Sequence, residues 1–234
     1  MSAIFVTATG TDVGKTFVTE GIVRALRFAR RPVAALKPVL SGFAMENAAS
    51  SDSGRLLTAL GRAITPIEIE GISPWRFKAP LSPDMAARLE GTSIDFDALL
   101  EFSRARIAAT AAAGGTLLIE GVGGIMVPLD DSHTVLDWMA ALNLPVLLVA
   151  GSYLGTISHT LTALDVLTRR GLRVLSVVVS ESAGSPVDLD QTVATLRRFA
   201  SADIVGLPRL SSDAPDHPTL VDLAARFAAR QNGS

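Results

Sequence analysis

The sequence predicts an α/β fold built on one doubly wound, mostly parallel sheet with helices on both faces. Three observations carry that expectation. A short apolar run, Ile4-Phe5-Val6, leads into Thr9-Gly10-Thr11-Asp12-Val13-Gly14-Lys15-Thr16 and then an amphipathic segment, the order of strand, glycine-bearing turn and helix. Strand-sized apolar runs and helix-period segments alternate along the rest of the 234 residues. No repeat, linker, heptad array or low-complexity tail interrupts the alternation, so residues 1–234 read as a single three-layer domain.

The first strand is expected over residues 3–7 and the first helix over about 15–29, with Val18, Ile22, Leu26 and Ala29 along one side. Arg30-Arg31 reads as its solvated end, and Pro32 stops it. Residues 33–36 form a second strand running into Lys37-Pro38, and strand, helix, strand in succession favours a parallel right-handed crossover. Residues 40–53 are small and polar, the composition of a mobile loop before a helix over 54–60. Prolines at 66, 74, 80 and 83 leave most of 64–83 irregular. Ser93 is placed to cap a helix over 94–112, with Asp95 and Asp97 in its first turn and Gly114-Gly115 ending it. A buried strand at 116–119, a short helix over 134–142 and a strand over 145–150 follow. Residues 151–156 then lead into a helix ending near Arg169-Arg170-Gly171. A strand over 174–179, a helix near 189–199, a short strand at Ile204-Val205 and a helix near 220–230 complete the chain.

Composition excludes several classes of function. A formal net charge of −2 supplies no basic field for a general nucleic-acid grip. There is no cysteine, which removes disulfide and thiolate chemistry and is compatible with the cytoplasm. No eighteen-residue apolar run and no basic leader appear, so neither a membrane span nor a secretory signal is expected. His133, His159 and His217 lack compact metal-ligand spacing.

The chemistry-bearing residues gather at expected strand ends. In the loop from Thr9 to Thr16, a variant of Gly-x-x-x-x-Gly-Lys-Ser/Thr with Thr9 in the first glycine's place, backbone N–H groups of the turn and of the first helical residues face inward. Val13 and Gly14 belong to that cradle, Lys15 adds a point charge against phosphates, and the Thr16 hydroxyl is placed to join a magnesium shell. Only three of the 21 basic residues are lysines, and Lys15 and Lys37 stand at the ends of the first two strands, where open α/β sheets place ligands. Lys37 there faces a terminal phosphate or a carboxylate acceptor, or is a solvated lysine after a strand. Glu120 ends an apolar strand before Gly121-Val122-Gly123-Gly124; it either binds magnesium, directly or through water, or holds the glycine turn. Asp52 offers another hard oxygen. Thr11, Ser41 and Ser82 are hydroxyl donors for an oxyanion or ordinary turn residues. Asp12 positions Thr11 or a substrate amine, or caps its loop. The combination points to transfer or hydrolysis of a nucleotide γ-phosphate, either in an enzyme or in a nucleotide-switched regulatory ATPase.

Taken together, several motifs resemble the dethiobiotin synthetase family, the ATP-dependent enzymes that form the ureido ring in biotin synthesis. They are residues 9–16, Leu36-Lys37-Pro38-Val39-Leu40-Ser41-Gly42, Ser51-Asp52, Pro80-Leu81-Ser82-Pro83, Glu120-Gly121-Val122-Gly123-Gly124 with Pro128-Leu129, Pro145-Val146, and Gly151-Ser152-Tyr153-Leu154-Gly155-Thr156. The resemblance implies a P-loop NTPase-like cyclo-ligase, acting in the cytoplasm on 7,8-diaminopelargonic acid, carbon dioxide and Mg-ATP. It implies that Lys15 and Lys37 stabilise charge on phosphate and carbamate, and that Thr16, Asp52 and Glu120 surround magnesium. Thr11, Asp12 and Ser41 would then line the carbamate and diamine site. A homodimer is implied too, with Tyr153, Leu154, Gly155 and Thr156 holding the substrate carboxylate near the subunit boundary. Three positions depart from the pattern: Ala8 stands for a frequent glycine, Asp12 for a glutamate, and Ser180-Glu181 for an asparagine that reads adenine.

Overall fold

The computed structural model describes residues 2–210 and 217–229. The chain begins with β1 (Ser2–Ala8), α1 (Lys15–Phe28), β2 (Val33–Leu36), β3 (Val39–Ser41) and a 3-10 segment (Met45–Ser50). Next come α2 (Asp52–Ala59), α3 (Pro66–Ile72), β4 (Trp75–Phe77), α4 (Pro83–Leu89) and α5 (Phe96–Ala112). The second half runs β5 (Thr116–Glu120), α6 (Val135–Leu142), β6 (Val146–Gly151), α7 (Thr156–Arg169), β7 (Val174–Ser180), α8 (Leu189–Phe199), β8 (Ile204–Leu207) and α9 (Pro218–Ala229).

Six strands form the main sheet in the order β2-β5-β1-β6-β7-β8, every neighbouring pair parallel. The winding runs toward β2 on one side of β1 and toward β8 on the other. Right-handed crossovers therefore put α1 on one face and α5, α6, α7 and α8 on the opposite one. Helices α2 and α9 pack on α1, whereas α5 packs on α6 and α7 on α8. Being covered on both faces, β5 and β6 are buried at every position, which is why they read as continuous apolar runs rather than alternating ones. Phe5 of β1 meets Trp138 of α6 edge to face with ring centroids 4.8 Å apart, and the Trp138 Nε1–H donates to Ser103 Oγ at 3.2 Å.

The expected elements are present with shifted ends. Val18, Ile22 and Leu26 are buried, while Ala29 is the exposed C-cap of α1. Arg230, expected at the end of the last helix, lies outside the described residues. Three expectations are corrected. Residues 40–53 carry the end of β3 and the 3-10 segment, and α2 starts at Asp52 because the Ser51 hydroxyl accepts from Gly54 N. The stretch 64–83 is ordered into α3, β4 and the start of α4: Pro66 and Pro83 are not breakers but occupy first helical turns, where a missing N–H costs nothing. Asp95, not Ser93, caps α5, accepting from Ala98 N at 2.9 Å.

The parallel pair β3–β4 stands apart from the main sheet and turns its following loops over the carboxyl ends of β1, β2 and β5. Gly42 N donates to Ala79 O and Phe43 N to Phe77 O, fastening the two loops together. Among the described residues no helix is long and apolar enough to cross a membrane.

Candidate active site

The site lies where the winding changes direction, outside the carboxyl ends of the central strands. Phosphate-loop geometry depends on two left-handed residues. Asp12 has φ 59°, a region that aspartate tolerates better than most residues, and Gly14, the N-cap of α1, has φ 94°. A Cβ on Gly14 would lie 2.8 Å from the Ser180 hydroxyl oxygen, so the end of β7 packs directly against the loop. On the other side a Cβ on Gly124 would lie 3.3 Å from Thr9 O, so the glycine turn after Glu120 also closes on the loop. Neither a capping side chain nor an acidic residue occupies the first turn of α1, leaving its N–H groups to an anion.

At the centre lies Lys37, only 2% exposed. Its ammonium donates to Glu120 Oε1 at 2.9 Å and Gly121 O at 2.8 Å and pairs with Asp52 Oδ2 at 2.9 Å, which uses all three of its donors. The Thr16 hydroxyl donates to Glu120 Oε1 at 2.7 Å. Burial opposes the charge on Lys37, but Glu120 and Asp52 overcome it and raise the pKa above the ordinary lysine value, so the ammonium persists at neutral pH. Asp52 is likewise disfavoured by burial, yet the charge and hydrogen bond of Lys37, with the charge of Lys15 behind it, pull its pKa down to about 2. Lys15 behaves differently. Burial and the charge of Lys37 lower it to about 8, with Glu120, Asp52 and Asp12 only partly compensating.

Lys15, Thr16, Lys37 and Asp52 line a cavity of about 880 Å³ with Thr11, Asp12, Gly14, Ser41 and Ser82, among others, and the fully buried Glu120 is tied to it through Lys37 and Thr16. The structure thus brings together both lysines, the hydroxyls and the carboxylates expected from sequence, with Val13 buried beneath the loop. Ser41 Oγ is buried with no hydrogen-bond partner, and Ser82 Oγ donates to Asp84 Oδ1 at 2.6 Å. Glu120 is fully buried, and its Oε2 also lacks a partner. An unsatisfied buried carboxylate oxygen beside Thr16 and Asp52 fits a hard divalent cation. Among the described residues no group of three acidic, histidine or cysteine side chains could hold one alone, and magnesium typically takes one or two carboxylates and completes its shell with phosphate and water.

Residues 153–156 are not gathered into this cavity. Tyr153 Oη pairs with His159 Nδ1 at 2.9 Å, Leu154 is 89% exposed, Gly155 caps α7, and the buried Thr156 hydroxyl donates to Gly151 O at 2.5 Å. Ser180 stands against Gly14, and Glu181 beyond it lines a second groove with Val187, Asp188, Leu189 and Pro208. Sequence reasoning missed Glu20 and Arg55, which join α1 to α2 beside Asp52, and it missed Gly121 O as the third acceptor for Lys37. For the first pair a signal existed: Glu20 follows Thr16 by one turn, and Arg55 follows Asp52 by three residues.

Across residues 2–212 the chain matches the family model described as an AAA domain. It is 47% identical over 227 residues to the ATP-dependent dethiobiotin synthetase BioD of Acidiphilium cryptum (strain JF-5), covering 97% of this chain and 100% of that one. It is 49% identical over 224 residues to the protein of the same name from Caulobacter vibrioides (strain NA1000 / CB15N), covering 95% and 99%. Among solved structures it resembles a ParA family ATPase from Chlorobium tepidum TLS, with TM-score 0.53, 14% identity and coverage of 96% and 98%. A chain of the MinC:MinD cell division protein complex of Aquifex aeolicus gives TM-score 0.51, 16% identity and coverage of 100% and 96%. At such identities the likeness concerns the fold alone.

Proposed function

Because this chain belongs to the ATP-dependent dethiobiotin synthetase family, we infer that the Lys15–Lys37 cavity is where it joins 7,8-diaminopelargonic acid and carbon dioxide into dethiobiotin at the expense of ATP. The single observation that carries this assignment is the convergence on one cavity of a buried lysine of raised pKa, a second lysine of lowered pKa and the partnerless Ser41 hydroxyl, with the partnerless Glu120 Oε2 buried beside Lys37.

The chemistry follows from what must be neutralised. One substrate amine adds to carbon dioxide and loses a proton, giving a carbamate whose negative oxygen needs a cation, which Lys37 supplies. The carbamate oxygen attacks the γ-phosphorus of ATP, ADP leaves, and a carbamic-phosphoric anhydride forms. Lys15 and the N–H groups at the start of α1 spread the charge of the phosphates in that step. The second amine then attacks the carbonyl carbon intramolecularly, a proton and phosphate depart, and the five-membered urea closes; holding both ends of the reaction in one site removes most of the association cost. Ser41, Thr11 and Asp12 line the part of the cavity where the carbamate and the diamine meet, and Ser82 faces them from the start of α4. Thr16, Asp52 and Glu120 would hold magnesium, which when bound offsets charge on the nucleotide phosphates. The base of ATP lies toward Ser180 and the Glu181 groove. A second copy of the chain meets this one at the start of α7, where exposed Leu154 follows Tyr153, and there the substrate carboxylate is held.

The test is a reaction with isotopically labelled bicarbonate, the diamine and ATP, read by product mass. Label in a cyclic urea, with phosphate released in proportion to it, is the expected result. Phosphate release that ignores the diamine would overturn the assignment. Sedimentation of the chain checks the dimer.

A further inference from the structure

Asp52 and Arg55 stand on one face of α2 at a spacing where an aspartate and an arginine attract each other. The guanidinium nevertheless goes elsewhere. Its Nε donates to Glu20 Oε2 and its Nη2 to Glu20 Oε1, each at 3.0 Å, a fork on a carboxylate that is itself buried on α1. Arg24 Nη1 adds a contact of 3.4 Å to the same Oε1. Arg55 still lines the active cavity beside Asp52. Burial disfavours its charge, and Glu20, Asp52 and Glu120 together more than compensate, so the guanidinium lies within the electrostatic reach of the metal-side carboxylates. One turn back along α1, the Thr16 hydroxyl donates to Glu120 Oε1, whose other partner Lys37 also holds Asp52. The helices α1 and α2 are thus tied directly by Glu20 and Arg55, and one turn away through the Thr16–Glu120–Lys37–Asp52 chain.

We propose that Glu20 is a positioning residue for the metal shell: by taking both edges of the Arg55 fork, it keeps that cation off Asp52 and leaves the Asp52 oxygens to Lys37 and magnesium. The inference rests on the reading of Asp52 as a metal ligand. Without Glu20 the guanidinium closes on the neighbouring carboxylate and competes with the metal for it.

Calorimetric binding of ADP to the full chain across magnesium concentrations, with no diamine present, tests this apart from turnover. Glu20→Gln is expected to raise the half-saturating magnesium concentration about threefold to tenfold, the range of coupling in one ion-pair network. Adding Arg55→Gln to it removes the competitor and returns the requirement to within about twofold of the parent, although a helix contact has been lost. A double variant as impaired as Glu20→Gln alone, or a single variant with unchanged magnesium use, overturns the proposal. Should Glu20→Gln fail to fold in thermal melts, Arg55→Gln alone decides: a requirement at or below the parent's supports the proposal, and a rise overturns it. A parent chain whose ADP binding ignores magnesium would instead sink the metal reading, and this inference with it.

Discussion

Replacing Lys37 by methionine keeps the length of the side chain and removes its charge. In the magnesium-free chain the ammonium holds Glu120, fully buried, and Asp52, whose side chain is 34% exposed. After the substitution Glu120 keeps the Thr16 hydroxyl on Oε1, while Oε2, already without a partner, is left to the more distant charges of Lys15 and Arg55. Removing one member of a buried pair costs about 3–5 kcal/mol, because the partner is left charged in a medium that solvates it poorly. For a chain of this size that lowers the melting midpoint by roughly 6–20 °C. Urea denaturation of parent and Lys37→Met at neutral pH, without magnesium, measures the loss. Lys37→Met/Glu120→Gln should recover at least about 1 kcal/mol of it, since the stranded charge has gone. A loss below about 1 kcal/mol with no recovery in the double variant would mean that the lysine is not the structural counter-ion of the two carboxylates.

Four further expectations follow from the same geometry. Lys15, lowered to about 8, is charged below that pH and neutral above it, so affinity for tripolyphosphate should fall as pH rises through about 8, and Lys15→Gln should flatten the profile. Because the folded value lies below the unfolded one, the same group makes the ligand-free chain gain stability between about pH 8 and pH 10, measurable by urea midpoints and opposite in sign to an ion-paired lysine. Asp52, depressed to about 2, contributes stability that is present above about pH 4 and lost as pH falls toward 2; after discounting for its partial exposure this is about 1–2 kcal/mol, and Asp52→Asn should match the parent only at the acid end. Gly14→Ala should cost at least about 1–2 kcal/mol from its left-handed backbone alone, and adding Ser180→Ala should relieve the contact but not that strain, as paired thermal melts would reveal.

What the sequence disclosed, and what it hid, divides by the range of the interaction. The strands β1, β2, β5, β6 and β7 announce themselves because a doubly covered parallel strand has no polar alternation to confuse it. Lys15, Thr16, Lys37 and Glu120 were legible because each ends a strand or opens a helix, and strand ends converge at a switch point whatever the intervening chain does. Pro66 and Pro83 misled because a proline looks the same whether it breaks a helix or opens one; the Thr65 hydroxyl caps the helix that Pro66 opens, whereas Ser82 before Pro83 makes no capping bond. Ser93 and Asp95 compete as caps two residues apart, and the structure gives the role to Asp95, which accepts from Ala98 N. The Glu20–Arg55 fork and the Gly121 carbonyl on Lys37 depend on how distant segments dock, which no local pattern encodes.

The position of β1 in the middle of the sheet has a consequence for biogenesis. It leaves the ribosome well ahead of its two ladder partners, β5 and β6: Phe5 pairs with Ile119 on one side and Val146 on the other. The nascent segment therefore waits, apolar and unpaired, until β5 and β6, more than a hundred residues further along, have been made, while β2, which follows it, docks on β5 instead. Such late closure slows productive collapse and makes the waiting strand the part most in need of chaperone shelter. Nucleotide capture during synthesis should accordingly begin only once β6 has emerged.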